Sequence, residues 1–177
     1  MPPRGYTARM PPVHAGELNA APLSVAIVAA RFNDFIVTSL LRGAVEAWDS
    51  HGGAADRLVI ARVPGAFELP VAARQCAASG RFAAVVAFGC VIRGDTAHFD
   101  FVAGECTRGL GRVALDTGVP VVFGVLTVET VEQAIQRAAV RAGNKGGEAM
   151  LAAIEMAEIL ARLAGASGER VVRRRKV

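Results

Sequence analysis

From Phe82 to Ile92 the chain reads FAAVVAFGCVI, with no charged side chain. The run is too short for a membrane helix, which needs ~18 apolar residues. It does not alternate, so it is not a strand with one wet face. A second uniform run, VPVVFGVLTV, covers residues 119–128. Strands of this kind are buried on both faces, and helices must cover them. That requirement points to parallel strands in a layered α/β sandwich with right-handed crossovers.

The rest of the chain fits this frame. PLSVAIVAA (22–30) and DRLVIARV (56–63) read as two further strands. After the first, Ile36, Leu40, Ala44 and Trp48 recur at steps of four, and Val37, Leu41 and Val45 widen the stripe. This is an amphipathic helix, with Asn33 or Asp34 to cap its start and Gly52–Gly53 to end it. Further helices are predicted over 68–79, with Pro70 in the first turn, and over 98–118, ending at Gly118. Thr130 and Gln133 form a capping box for TVEQAIQRAAV. GNKGG (143–147) breaks the chain, and EAMLAAIEMAEILARLAG closes it as a long helix. The expected fold class is a three-layer α/β sandwich with a four-stranded parallel sheet. Residues 1–12, rich in Pro and Arg, read as a flexible N-terminal extension. No linker divides 13–164, and 165–177 is a basic tail.

Composition narrows the function classes. A hydrophobic fraction of 53% argues against disorder. The N-terminus has no apolar core of a secretory signal, and no run spans a membrane, so the cytoplasm is the expected location. The net charge of +4 is not spread over the body. Arg170, Arg173, Arg174, Arg175 and Lys176 against Glu169 give five minus one, the same +4. The body is near neutral, and no nucleic-acid partner is expected. The tail reads as a solvated end, although such a segment can also bind anions or another chain. Cys76, Cys90 and Cys106 are widely spaced with no CxxC. They read as buried thiols in a reduced compartment, and no metal site is expected.

In open parallel sheets, ligands bind beyond the carboxyl ends of the strands. That rule collects ARFN (30–33), VPGAFELP (63–70), VIRGDTAHFD (91–100) and LTVET (126–130) at one edge. Gly94 lets the backbone approach a ligand, and the helix start after Asp95 and Thr96 favours an anion. A plain capped helix start explains Asp95 and Thr96 as well. His98 lies in the first turn of that helix, where the dipole favours a neutral ring and hence a base. A solvent-facing histidine is an equal reading of that position. Phe32 and Phe67 at strand ends either stack on a planar ring or cover the core edge. Glu68 either caps its helix or accepts from ligand hydroxyls. Arg137 and Lys145, taken singly, read as surface cations. His14 and His51 read as ordinary surface residues. GLG at 109–111 lies inside a helix pattern and is not a dinucleotide fingerprint.

Five motifs come in the order and spacing of the lumazine synthases: ARFN, VPGAFELP, VIRGDTAHFDFV, FGVLTVETVEQAIQRA and GNKGGEAMLAAIEMAEIL. The chain resembles that family over residues 13–163. The resemblance implies a flavodoxin-like sheet, with an N-terminal segment that pairs with a neighbouring subunit. It implies a cofactor-free, metal-free transferase of riboflavin synthesis acting on small-molecule substrates. These are 5-amino-6-(D-ribitylamino)uracil and 3,4-dihydroxy-2-butanone 4-phosphate, and riboflavin synthase is the implied pathway partner. Phe32, Asn33, Gly65, Ala66, Phe67, Glu68, Cys90, Val91 and Ile92 match residues that bind the pyrimidine and its ribityl chain. Gly94, Asp95, Thr96 and Arg137 match the phosphate site, and His98 matches the proton-transfer histidine. Phe123, Lys145 and Glu148, with Arg137, match residues supplied by the adjacent subunit of a homopentamer. In many members pentamers close into an icosahedral shell. The family often has Pro before the histidine and Tyr after HFD, where this chain has Ala97 and Phe101. Neither change removes a catalytic group. A non-catalytic flavin or lumazine binder, or a shell-forming structural homologue, is the alternative, and a binder is expected to lose His98 or Arg137.

Overall fold

The structure, a computed structural model, describes residues 13–139 and 143–173, with side chains through residue 165. The extension over 1–12 and the basic residues 174–176 lie outside the described residues. Strand and helix alternate along the chain: β1 (Val25–Ala30), α1 (Asp34–Ser50), β2 (Leu58–Val63), α2 (Leu69–Ala78), β3 (Ala84–Ile92), α3 (His98–Thr117), β4 (Val121–Val128), α4 (Val131–Ala138) and α5 (Lys145–Arg173). The four strands form one sheet in the order β2-β1-β3-β4, and every pairing is parallel. The expected three-layer α/β architecture is therefore present. Interior β1 is buried throughout, and β3 is buried as far as Cys90.

Uniform apolarity conceals a strict division of side chains between the two faces. Val25, Ile27 and Ala29 of β1, with Val86 and Phe88 of β3, pack on α1, α4 and α5. Trp48, Leu40, Met150 and Ile154 fill that layer. Ala26, Val28, Val85 and Ala87 face α2 and α3, where the partners are Leu69, Ala73, Cys106, Leu110 and Val113. Gly109 lets α3 approach α2 closely, because a Cβ there would lie 2.7 Å from Pro70 side-chain carbons. That packing role accounts for the first glycine of GLG.

Several ends differ in detail from the sequence pattern. Asn33 precedes α1 in the left-handed region (φ 58°) and gives it no side-chain cap. Gly52 (φ 82°) does follow the helix, and Gly118 (φ 70°) ends α3 as expected. Thr130 Oγ1 accepts from the Gln133 N–H at 3.3 Å. The return bond from Gln133 goes to the Glu129 N–H (2.9 Å), one residue before the capping residue. Asp95 does not cap α3: Ala97 directly precedes the helix, and the Thr96 hydroxyl meets its first N–H, that of His98. The last helix also runs on to Arg173, past Gly165. Glycine costs a helix only about 1 kcal/mol, so a single one need not end it. Among the described residues no helix is long and apolar enough to cross a membrane.

GNKGG straddles the break: Gly143 (φ 85°) and Asn144 precede α5, and Lys145, Gly146 and Gly147 form its first turn. Asn144 uses all of its amide: Nδ2 donates to Ser39 O (2.9 Å) and Ala138 O (2.8 Å). Its Oδ1 accepts from Gly146 N–H (2.7 Å) and Gly147 N–H (3.4 Å). α5 thus begins pressed against α1, and a Cβ on Gly146 would overlap the Leu40 carbonyl. Gly146→Ala is expected to destabilise the fold by about 1–3 kcal/mol through overpacking. A urea-unfolding midpoint equal to that of the native sequence would contradict this packing.

Candidate active site

A cleft of about 720 Å³ opens beyond the carboxyl ends of β1, β2 and β3. β1 delivers Phe32 to it, and β2 delivers Gly65, Ala66, Phe67 and Glu68. β3 delivers Cys90, Val91, Ile92 and Gly94. Thr96 and His98 enter from the loop and first turn that follow. Eleven residues singled out in the sequence therefore meet in one hollow. Phe32 is 70% exposed and Phe67 59%, so these rings stand at the rim and do not seal the core. A third ring, Phe101, is 69% exposed and also lines the cleft. Between them a planar heterocycle has faces to stack on.

Of the residues expected from the ends of β1 and β3, Asn33 and Asp95 do not line this cleft. The Asn33 amide donates to the Cys90 carbonyl at 2.9 Å and ties the end of β1 to β3. Asp95 is exposed on the loop. Thr96 is engaged locally, its hydroxyl accepting from the His98 N–H at 3.4 Å. Cys90 and Cys106 are buried, and burial pushes both thiols up to about 11. Cys76 is raised by burial too, with Arg81 opposing. All three are free thiols.

Phe123, Arg137, Lys145 and Glu148 lie elsewhere. They share a second cleft, of about 390 Å³, along the open edge of the sheet beside β4. Lys145 Nζ pairs with Glu148 at 2.6 Å, and the Arg137 guanidinium donates to the Gln133 carbonyl at 3.1 Å. The two clefts divide the charge between them. The residues lining the first include Glu68 but no lysine or arginine. The second supplies two cations and an exposed phenylalanine. Among the described residues, no three His, Cys, Asp or Glu side chains are grouped to hold a metal ion.

Sequence reasoning assigned nothing to Arg93, although it stands inside the motif. Its guanidinium forms a bidentate pair with Asp100 (3.0 and 3.2 Å) and a second pair with Glu129 (2.9 Å). It also lies 4.1 Å from the centroid of the Phe99 ring. The hydrogen bonds to Asp100, then those to Glu129, push its pKa above the ordinary arginine value. The seven positions between them cross a loop before the helix begins, so no single periodicity marks this pair.

A family model described as 6,7-dimethyl-8-ribityllumazine synthase matches residues 22–161, most of the chain and all of both clefts.

Proposed function

We propose that this chain, which belongs to the 6,7-dimethyl-8-ribityllumazine synthase family, condenses 5-amino-6-(D-ribitylamino)uracil with 3,4-dihydroxy-2-butanone 4-phosphate. The products are 6,7-dimethyl-8-ribityllumazine, phosphate and water. The observation that carries this reading is the division between the clefts. One cleft offers aromatic rims, a carboxylate and a histidine but no cation. A phosphorylated substrate is poorly held there without one. The other cleft offers Arg137 and Lys145 but no histidine. Two copies placed edge to edge make one complete site.

In that complete site each group has a task. Phe32 stacks on the pyrimidine, and Glu68 accepts from the ribityl hydroxyls. Main-chain groups around Val91 and Ile92 meet the polar edge of the ring. Gly94, Asp95 and Thr96 present the loop backbone and the Thr96 hydroxyl to the phosphate, and Arg137 of the next subunit pairs with it. Phe123, Lys145 and Glu148 of that subunit close the site. The pyrimidine amine is a weak nucleophile, so holding it against the ketone supplies much of the rate. The amine adds to the ketone and water leaves as the imine forms. Loss of a proton beside the imine carbon then expels phosphate, and ring closure expels water. His98 carries these protons.

Mixing both substrates with the protein and following the lumazine chromophore tests the reaction. A rate no higher than the uncatalysed one would favour a non-catalytic binder. Mass photometry tests the assembly. Roughly five chains per particle is the pentamer and roughly sixty the shell, and the short link before α5 favours the shell. A stable monomer would contradict the shared site.

A further inference from the structure

We propose that Arg93 is a positioning residue: its guanidinium clamps the loop over residues 94–97 and the first turn of α3 in the form that receives phosphate. The inference rests on the reaction proposed above. Arg93 stands directly before the loop, while Phe99 and Asp100 stand in the first turn of α3 that follows it. The fork-to-fork pair with Asp100 and the stack on Phe99 therefore join the two ends of the loop. The main chain helps, because the Arg93 N–H donates to Val128 O at 2.9 Å and continues the β3–β4 ladder. Glu129 fixes the other side of the guanidinium to the end of β4.

The loop has little else to hold it. Gly94, Asp95, Thr96 and Ala97 are all exposed. A Cβ on Gly94 would meet nothing within 4 Å. Arg93 does not line the cleft, and its nitrogens are occupied by two carboxylates. It is therefore not a phosphate ligand. Single exposed ion pairs contribute little. A bidentate, stacked and doubly paired arginine is the exception, and lysine cannot reproduce its planar fork.

The test compares Arg93→Ala, Arg93→Lys, Asp100→Asn and the double variant R93A/D100N in the full chain. Two readouts are used: steady-state kinetics with both substrates, and titration with inorganic phosphate followed by amide chemical shifts. Each single variant is expected to raise the KM for the phosphorylated substrate and to weaken phosphate binding by about tenfold or more, as displaced groups do. The KM for the pyrimidine should change little. The double variant should be no worse than Arg93→Ala, because both remove one contact. Native-like behaviour of Arg93→Lys, or tighter phosphate binding by Asp100→Asn, would mean that charge alone matters and would overturn the clamp. Unchanged phosphate binding in all variants would overturn it as well. If the native protein makes no lumazine, the reaction proposed above fails, and the phosphate titration alone decides the clamp.

Discussion

Replacing His98 by alanine is expected to slow turnover at saturating substrate by about 10²-fold or somewhat less. His98 lies in the first turn of α3 and lines the cleft with the loop residues Gly94 and Thr96. A base held there can take a proton beside an imine carbon and return protons as phosphate and water leave. The loss should fall on kcat, since the proposed contacts of Phe32 with the pyrimidine and of Glu68 with the ribityl chain are left in place. It should also be incomplete. Substrate alignment remains, and alignment alone accounts for a large share of a condensation rate. Single-turnover measurements with both substrates saturating give the number. An unchanged rate would remove His98 from the mechanism.

Arg137→Ala is expected to act on binding. Charge-assisted hydrogen bonds contribute about 1.5–3 kcal/mol each, so its loss should raise the KM for the phosphorylated substrate by about tenfold to a hundredfold. kcat should stay within a few-fold of native, because no proton passes through a guanidinium at neutral pH. The side chain is exposed at the end of α4 and donates to Gln133 O within its own helix, so the fold should tolerate the change. Steady-state kinetics with each substrate varied in turn separates the effects. A defect confined to the pyrimidine would contradict the assignment.

Much of the architecture is written in the chain locally. The apolar run at 82–92 specifies a strand covered on both faces, and steps of four from Ile36 to Trp48 specify α1. The second run, however, becomes edge strand β4, where Phe123 and Thr127 are exposed. The rule that ligands sit at strand ends then gathers Phe32, Phe67, Glu68 and His98 without any coordinates. What local pattern misses depends on contacts between distant segments. Asn33 reads as a cap, yet its amide is taken by Cys90 O, 57 positions away. GNKGG reads as a break because glycine disfavours helix, yet only Gly143 and Asn144 precede α5, and close approach to α1 requires Gly146 and Gly147 inside its first turn. Arg93 reads as one more charge, because its partners lie across a loop and just past the end of β4. Arg137 and Lys145 carry no local mark of function at all. Their grouping with Phe123 becomes visible only when β4 is seen as an open sheet edge.

The central claim is that a complete site needs two copies of the chain, one giving His98 and the other Arg137. Refolding a one-to-one mixture of His98→Ala and Arg137→Ala chains tests it most directly, with the phosphorylated substrate held well below its native KM. In a head-to-tail ring, about a quarter of the sites would pair an intact His98 with an intact Arg137. The mixture should therefore recover about a quarter of native activity, well above either variant alone. If the mixture gives only the average of the two variants, both residues act within a single chain and the shared site is wrong.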